Sequence, residues 1–268
     1  MNFSPVVPLG GLPGWVFLNA TLGAQRQAFD ADPALSRDTD HFEREIGKVQ
    51  TAEALVSDRR LLRVALGAFG LQDDIDSRFF IRKVLEGGTA SPDTLANRLT
   101  DDRYRQLADA FGFGAAGGPR TAIPGFGTAI TDAYRSRRFE IAVGESDAAL
   151  RLAMNARREL PRIAAAPVAE DTRWLRIMGT PPLREVFETA LGLPDGFGRL
   201  ELDRQVAVFR ERSSAQLGLD SLSSLTDEAV LDRVVRRYVL REQADSFVSR
   251  ASPASVALTL LQGARGAG

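Results

Sequence analysis

A chain of 268 residues with 44% hydrophobic and 26% charged residues can bury a sizeable core, as one large folded body or two smaller ones. Its formal net charge of −1 argues against non-specific nucleic-acid binding, which needs a basic surplus or a basic face. With no cysteine and one histidine, it excludes disulfides, thiol nucleophiles and multi-histidine zinc sites.

Residues 1–14 are rich in Pro and Gly and are expected to be extended. The apolar stretch at 6–18 (VVPLGGLPGWVFL) has no basic residue before it and is broken by Pro and Gly, so a cleaved secretory signal is not expected. No apolar run approaches the roughly 20 residues needed to span a bilayer. From residue 15 to 29, Trp15, Leu18, Leu22 and Phe29 follow helical spacing. The acids and proline of 30–41 (DADPALSRDTDH) read as a connection. A short helix over 42–49 would place Phe42, Ile46 and Val49 on one face.

The stretch 55–118 is the one around which the chain is organised, a run of helices with clear stops. Thr51 caps one helix and Asp58 helps start the next, where Leu61, Val64, Ala65, Ala68 and Phe69 form an apolar stripe closed by Gly70. Residues 79–85 pair Phe80 with Val84 and Ile81 with Leu85 at i,i+4, and Gly87-Gly88 ends that helix. Ser91-Pro92 reads as a helix start, and so does Thr100-Asp101-Asp102, whose acids complement the helix dipole. Residues 112–127 (GFGAAGGPRTAIPGFG) read as a linker.

A long helical stretch is expected over about 128–160. Gly144 marks a bend or break in it and Pro161 and Pro167 end it, before Trp174 to Met178 opens the last part. There a repeat is legible. Leu183, Val186, Ala190, Leu191, Gly192 and Leu193 match Leu61, Val64, Ala68, Phe69, Gly70 and Leu71 at a constant offset. The sequence LTDE at 225–228 echoes LTDD at 99–102, each read as a Thr cap before two acids. Alternating β-branched runs are missing while Ala, Leu, Arg and Glu abound, which predicts an all-α chain with room at most for a short hairpin near the linker. The expected division is an N-terminal helical unit over 1–111, a linker over 112–127, a C-terminal unit over 128–250 and a tail over 251–268. The two units would be related by internal duplication.

No residue cluster declares a chemistry, and no catalytic, cofactor or metal residue is assigned. Residues 112–118 lack the Gly-Lys-Ser/Thr ending of a phosphate loop and follow a helix instead of a strand. Asp73, Asp74 and Asp76 could offer oxygen ligands. With Asp74 as first ligand, however, an EF-hand would need Gly where Phe79 stands and Glu where Leu85 stands. His41, flanked by Asp38 and Asp40, could act as a carboxylate-oriented base, but no nucleophile signature accompanies it, so it reads as a surface or helix-start residue. Lys48 and Lys83 are the two lysines among 34 basic residues, an arginine excess that reads as coding bias rather than a phosphate site. The basic faces at Arg59, Arg60 and Arg63 and at Arg233, Arg236, Arg237 and Arg241 have acids close by and read as solvated. The apolar ends are more suggestive. Trp15, Phe17 and Leu18 near one end, Val256, Leu258, Leu260 and Leu261 near the other, and Phe79 and Phe80 on a central helix are the candidate partner-binding residues.

Four segments carry a resemblance: 7–15 (VPLGGLPGW), 37–40 (RDTD), 46–69 (IGKVQTAEALVSDRRLLRVALGAF) and 79–89 (FFIRKVLEGGT). Through them the chain resembles the domain-of-unknown-function 1217 family, found mainly in alphaproteobacteria. The resemblance is strongest over 7–114. It implies a helical fold and, because family members often sit near flagellar genes, a flagellar setting, with no site residues to carry over. The resulting expectation is a non-enzymatic, helical interaction protein tied to flagellar assembly or function. A protein partner is expected, with no nucleic acid and no cofactor. The expected location is cytoplasmic, with export through the flagellar system without a cleaved signal as the alternative. The competing expectation is an enzyme acting on a small polar substrate through acidic residues and Arg, with Asp73, Asp74 and Asp76 as its metal site.

Overall fold

Good helix formers without strand alternation give thirteen α-helices and no strand among the described residues of the computed structural model, which describes residues 3–194 and 196–250. The chain divides into two compact units, one of Met1–Val6 with Thr21–Val143 and one of Val7–Ala20 with Gly144–Gly268. The first helix, α1 (Gly11–Asp30), contributes its opening residues to the second unit and its remainder to the first.

The first unit continues with α2 (Pro33–Glu45), α3 (Ala52–Ser57), α4 (Arg59–Phe69), α5 (Arg78–Gly87), α6 (Leu95–Arg98), α7 (Asp102–Phe111) and most of α8 (Phe126–Ser146). The segment expected as a connection is therefore largely helix. Asp32 takes the backbone N–H groups of Ala34 and Leu35 on its side chain and Pro33 occupies the first helical position, which is a strong helix start. Ser91-Pro92, in contrast, makes only a turn. The Ser91 carbonyl is used by Thr94 and Asn97, and only the four-residue α6 follows. Helix α4 packs on α2, α3 and α7, and α5 packs on α3, α6 and α7. Between them lie Phe42, Leu55, Leu62, Leu66, Ile81, Leu85, Leu107 and Phe111, all fully buried. Residues 112–127 lie inside this unit, where the Thr121 hydroxyl donates to the Val49 carbonyl at 2.6 Å.

The second unit holds α9 (Ala148–Ala165), α10 (Glu170–Met178), α11 (Pro181–Leu191), α12 (Leu202–Leu217) and α13 (Glu228–Arg250). Helix α8 ends within three residues of Gly144, and Asp147 then caps α9 by accepting from Leu150 N–H at 3.0 Å. Pro161 does not end α9 but sits inside it, its neighbours Leu160 and Ala164 buried against the core. Helix α9 packs on α10, α11 and α13, and α11 packs on α12 and α13. The centre is aromatic. Trp174 meets Phe187 edge-on at 5.5 Å, and Phe209 meets Phe197 edge-on at 5.1 Å.

Helices α4 and α11 have the same length, eleven residues each. Both end on a glycine with positive φ, +75° at Gly70 and +59° at Gly192, a conformation that side chains with a Cβ adopt only under strain. Both close with the same hydrogen bond one residue later, Leu71 N–H to the Leu66 carbonyl and Leu193 N–H to the Glu188 carbonyl, each 2.9 Å. Arg137 Nε donates to the Ala68 carbonyl and Arg237 Nε to the Ala190 carbonyl, each at 2.8 Å, so in each unit an arginine satisfies the last turn. The second echo has a different cap from the one expected. Asp101 and Asp227, not the threonines before them, accept the first backbone N–H groups of α7 and α13.

Candidate functional site

Helical spacing puts Trp15, Val16 and Asn19 on neighbouring turns of α1, and Asp232 and Arg236 one turn apart on α13. Within the second unit these residues, with Arg157, Glu228 and Ala229, line an open groove of about 530 Å³. Its polar groups are tied together: Asn19 Nδ2 donates to the Trp15 carbonyl at 2.8 Å, and Arg157 donates to Asn19 Oδ1 and Glu228 Oε1, both at 2.6 Å. Arg236 pairs with Asp232 at 2.5 Å. The indole N–H of Trp15 is buried without an acceptor. The groove's two guanidiniums and two carboxylates are thus paired with each other, Arg157 with Glu228 and Arg236 with Asp232. The groove holds no nucleophile–base pair. Of its members the sequence singles out Trp15 as a partner-binding candidate and Arg236 only as part of a solvated basic face. The i,i+4 pairs Trp15/Asn19 and Asp232/Arg236 were the signal available for the others.

The sequence-predicted residues fall in different places. Trp15 and Leu18 are interior, 2% and 1% exposed. Phe17 is 37% exposed, and Phe79 at 68% stands out on the first turn of α5, with Arg82 and Lys83 over its ring at 5.3 and 5.7 Å. Phe80 is half-buried, edge-on to Tyr104 at 5.2 Å. Val256, Leu258, Leu260 and Leu261 lie outside the described residues.

His41 is oriented by a carboxylate that the sequence did not single out for it. Its Nε2 lies 2.8 Å from Asp58 Oδ2, whereas Asp38 is taken by Arg63 at 2.9 Å. Asp58 Oδ1 also caps α4, accepting from Arg60 and Leu61 N–H at 2.8 and 3.1 Å. Partial burial works against the Asp58 charge, but the bonds from His41 and the two backbone groups outweigh it and hold the carboxyl below its usual range. The stabilisation is therefore complete above the unfolded carboxyl's pKa and is lost as pH falls through the lower, folded one. Asp58→Ala is expected to cost about 1–2 kcal/mol at neutral pH, from the lost cap and the stranded imidazole. Urea denaturation of both proteins should find that gap narrowing once the pH drops below about 4.

The Asp73–Asp76 turn is engaged as well. Tyr104 donates its hydroxyl to Asp74 Oδ2 at 2.7 Å, and Arg59 pairs with Asp76 at 2.8 Å. Burial, with Asp74 beside it, pushes the Tyr104 phenol up to about 12. Among the described residues no group of three or more His, Cys, Asp or Glu is arranged to hold a metal ion. No described helix is long and apolar enough to cross a membrane.

A crystal structure of protein AGR_C_984 from Agrobacterium tumefaciens is similar to this chain, with a TM-score of 0.71 and 24% sequence identity over 89% of this chain and 98% of that one. That likeness shows a shared fold. No curated protein matches the chain. The family described as "Protein of unknown function (DUF1217)" matches residues 68–231, which runs from the end of α4 in the first unit to the first turn of α13 in the second. The chain belongs to the DUF1217 family.

Proposed function

We propose that this is a non-enzymatic helical protein that binds a protein partner and serves flagellar assembly or function. The observation that carries the binding half is Phe79, whose ring stands 68% exposed on a helix that is otherwise anchored in the core by Ile81, Val84 and Leu85. An aromatic ring held rigidly in water, with two cations beside it, has the character of an interface anchor. The flagellar half rests on the family resemblance alone. The matching capped ends of α4 and α11 support a further reading, that the two units descend from one duplicated helical element.

The test is a tagged full chain expressed in a flagellated host, with recovered flagellar components identified by mass spectrometry, against the Phe79→Ser variant. The variant is expected to keep wild-type stability to within about 0.5 kcal/mol, because the ring is exposed. It is expected to recover at least tenfold less of the partner, since truncating an aromatic anchor costs about 2 kcal/mol of binding or more. Recovery of the same flagellar proteins by both would move the binding surface off α5. Recovery of none by the wild-type chain would sink the flagellar reading.

A further inference from the structure

Helix α13 buries Leu231, Val234, Val235, Tyr238 and Val239 in the core of the second unit. On another face Asp232, Arg236, Leu240, Gln243 and Phe247 follow at i, i+4, i+8, i+11 and i+15, a single stripe. Asp232 and Arg236 line the groove with Trp15 and Val16, and Gln243 Oε1 accepts the Leu12 N–H at 3.3 Å. The stripe therefore runs alongside the first turns of α1. Along it Leu240 and Phe247 are exposed, and so is Val16 on α1. Apolar side chains in one line, rimmed by polar ones, mark a surface that something covers. The groove favours no charged occupant, because Arg157 is already paired with Glu228 and Arg236 with Asp232. A charged group would have to break one of these pairs, whereas an uncharged apolar segment leaves both in place.

We propose that residues 256–261 of this chain (VALTLL), which lie outside the described residues, cover the stripe and the groove. Residues 251–268 follow directly on Arg250, within a turn of Phe247. They include Val256, Leu258, Leu260 and Leu261 and one charged side chain, Arg265. Val256, Leu258 and Leu260 alternate, so in an extended segment they share one side. From Arg250 back to Arg236 is about 21 Å of helix, which roughly seven extended residues span. With residues 251–253 (ASP) spent on reversing direction, Leu258 reaches Leu240 and Leu261 reaches the groove. A second copy of the chain fits less well, since stable dimers bury about 800 Å² on each partner and Val16, Leu240 and Phe247 offer far less. A tethered segment works at a roughly millimolar effective concentration, so weak docking suffices.

The sequence has no cysteine, so a pair of introduced thiols reports one distance without background. The full chain carrying Leu240→Cys and Leu258→Cys is treated with a short bismaleimide. Leu202→Cys with Leu258→Cys is the control, since Leu202 is exposed on α12. Cross-linking within one chain is expected to run at least about tenfold faster for the first pair than for the control. A second measurement needs no cysteine. Leu258→Asp with Leu260→Asp, in the ¹⁵N-labelled full chain, should shift the Trp15 indole N–H and the Leu240 amide resonances. Equal rates for the two pairs, or resonances that stay in place, would overturn the proposal and leave the stripe to a separate partner. Cross-links between chains, or shifts that grow with protein concentration, would overturn it in favour of a second copy.

Discussion

Trp15→Ala is expected to destabilise the second unit by about 3–5 kcal/mol, the usual cost of truncating a buried Trp. The indole is 2% exposed and its helical neighbour Leu18 is 1% exposed, so the first turns of α1 are part of that unit's interior. Because the ring also lines the groove, water can enter part of the space it vacates, which places the expected loss in the lower half of that range. Urea denaturation would measure it, and amide exchange would locate it as lost protection in α9 and α13. Phe17→Ala, at a side chain 37% exposed, should shift stability by no more than about 0.5–1 kcal/mol. The contrast matters for any partner assay, since binding lost with Trp15 reads unfolding while binding lost with Phe17 reads an interface. Equal stability of the two variants would contradict the interior placement of Trp15.

Gly114→Ala is expected to cost about 1–3 kcal/mol, although Gly114 lies in a segment whose composition reads as a linker. A Cβ at Gly114 would stand 2.5 Å from the Gly88 nitrogen and 2.6 Å from the Glu86 carbonyl oxygen. These are backbone atoms at the end of α5 and cannot swing aside as a side chain would. The clash is reciprocal, because Gly88 has a φ of +62° and its own Cβ would stand 2.9 Å from the Gly114 carbonyl. Two chain segments thus touch backbone to backbone. Gly117→Ala is the control, since a Cβ there meets nothing within 4 Å, and it should stay within about 0.5 kcal/mol. Thermal melts of the two variants would decide it. If both behaved alike, the 112–127 segment would be a linker after all.

Much of the helix inventory was legible because its signals are local. Thr51 caps α3 by accepting from Ala54 N–H, Asp58 caps α4, and Gly70 and Gly192 end their helices in the left-handed conformation. Each signal lies within a few residues of the bond it makes, so spacing alone exposes it. Where local signals competed, the reading slipped. Pro33, in the 30–41 segment that reads as a connection, sits at the first helical position instead, and Ser91-Pro92 has the chemistry of a start but no long apolar stripe after it.

The candidate sites were scarcely legible. The His41–Asp58 pair spans 17 residues and the Arg157–Glu228 bond spans 71, and neither separation leaves a mark on periodicity. By itself, the sequence determined the all-α class and most helix ends, because hydrogen bonds and caps within one or two turns decide them. Only the tertiary structure decided that Trp15 is interior while Phe79 faces water, and that a glycine-rich stretch is packed against a helix end. Helical spacing says which residues share a face, but what covers that face depends on chain brought back from far away.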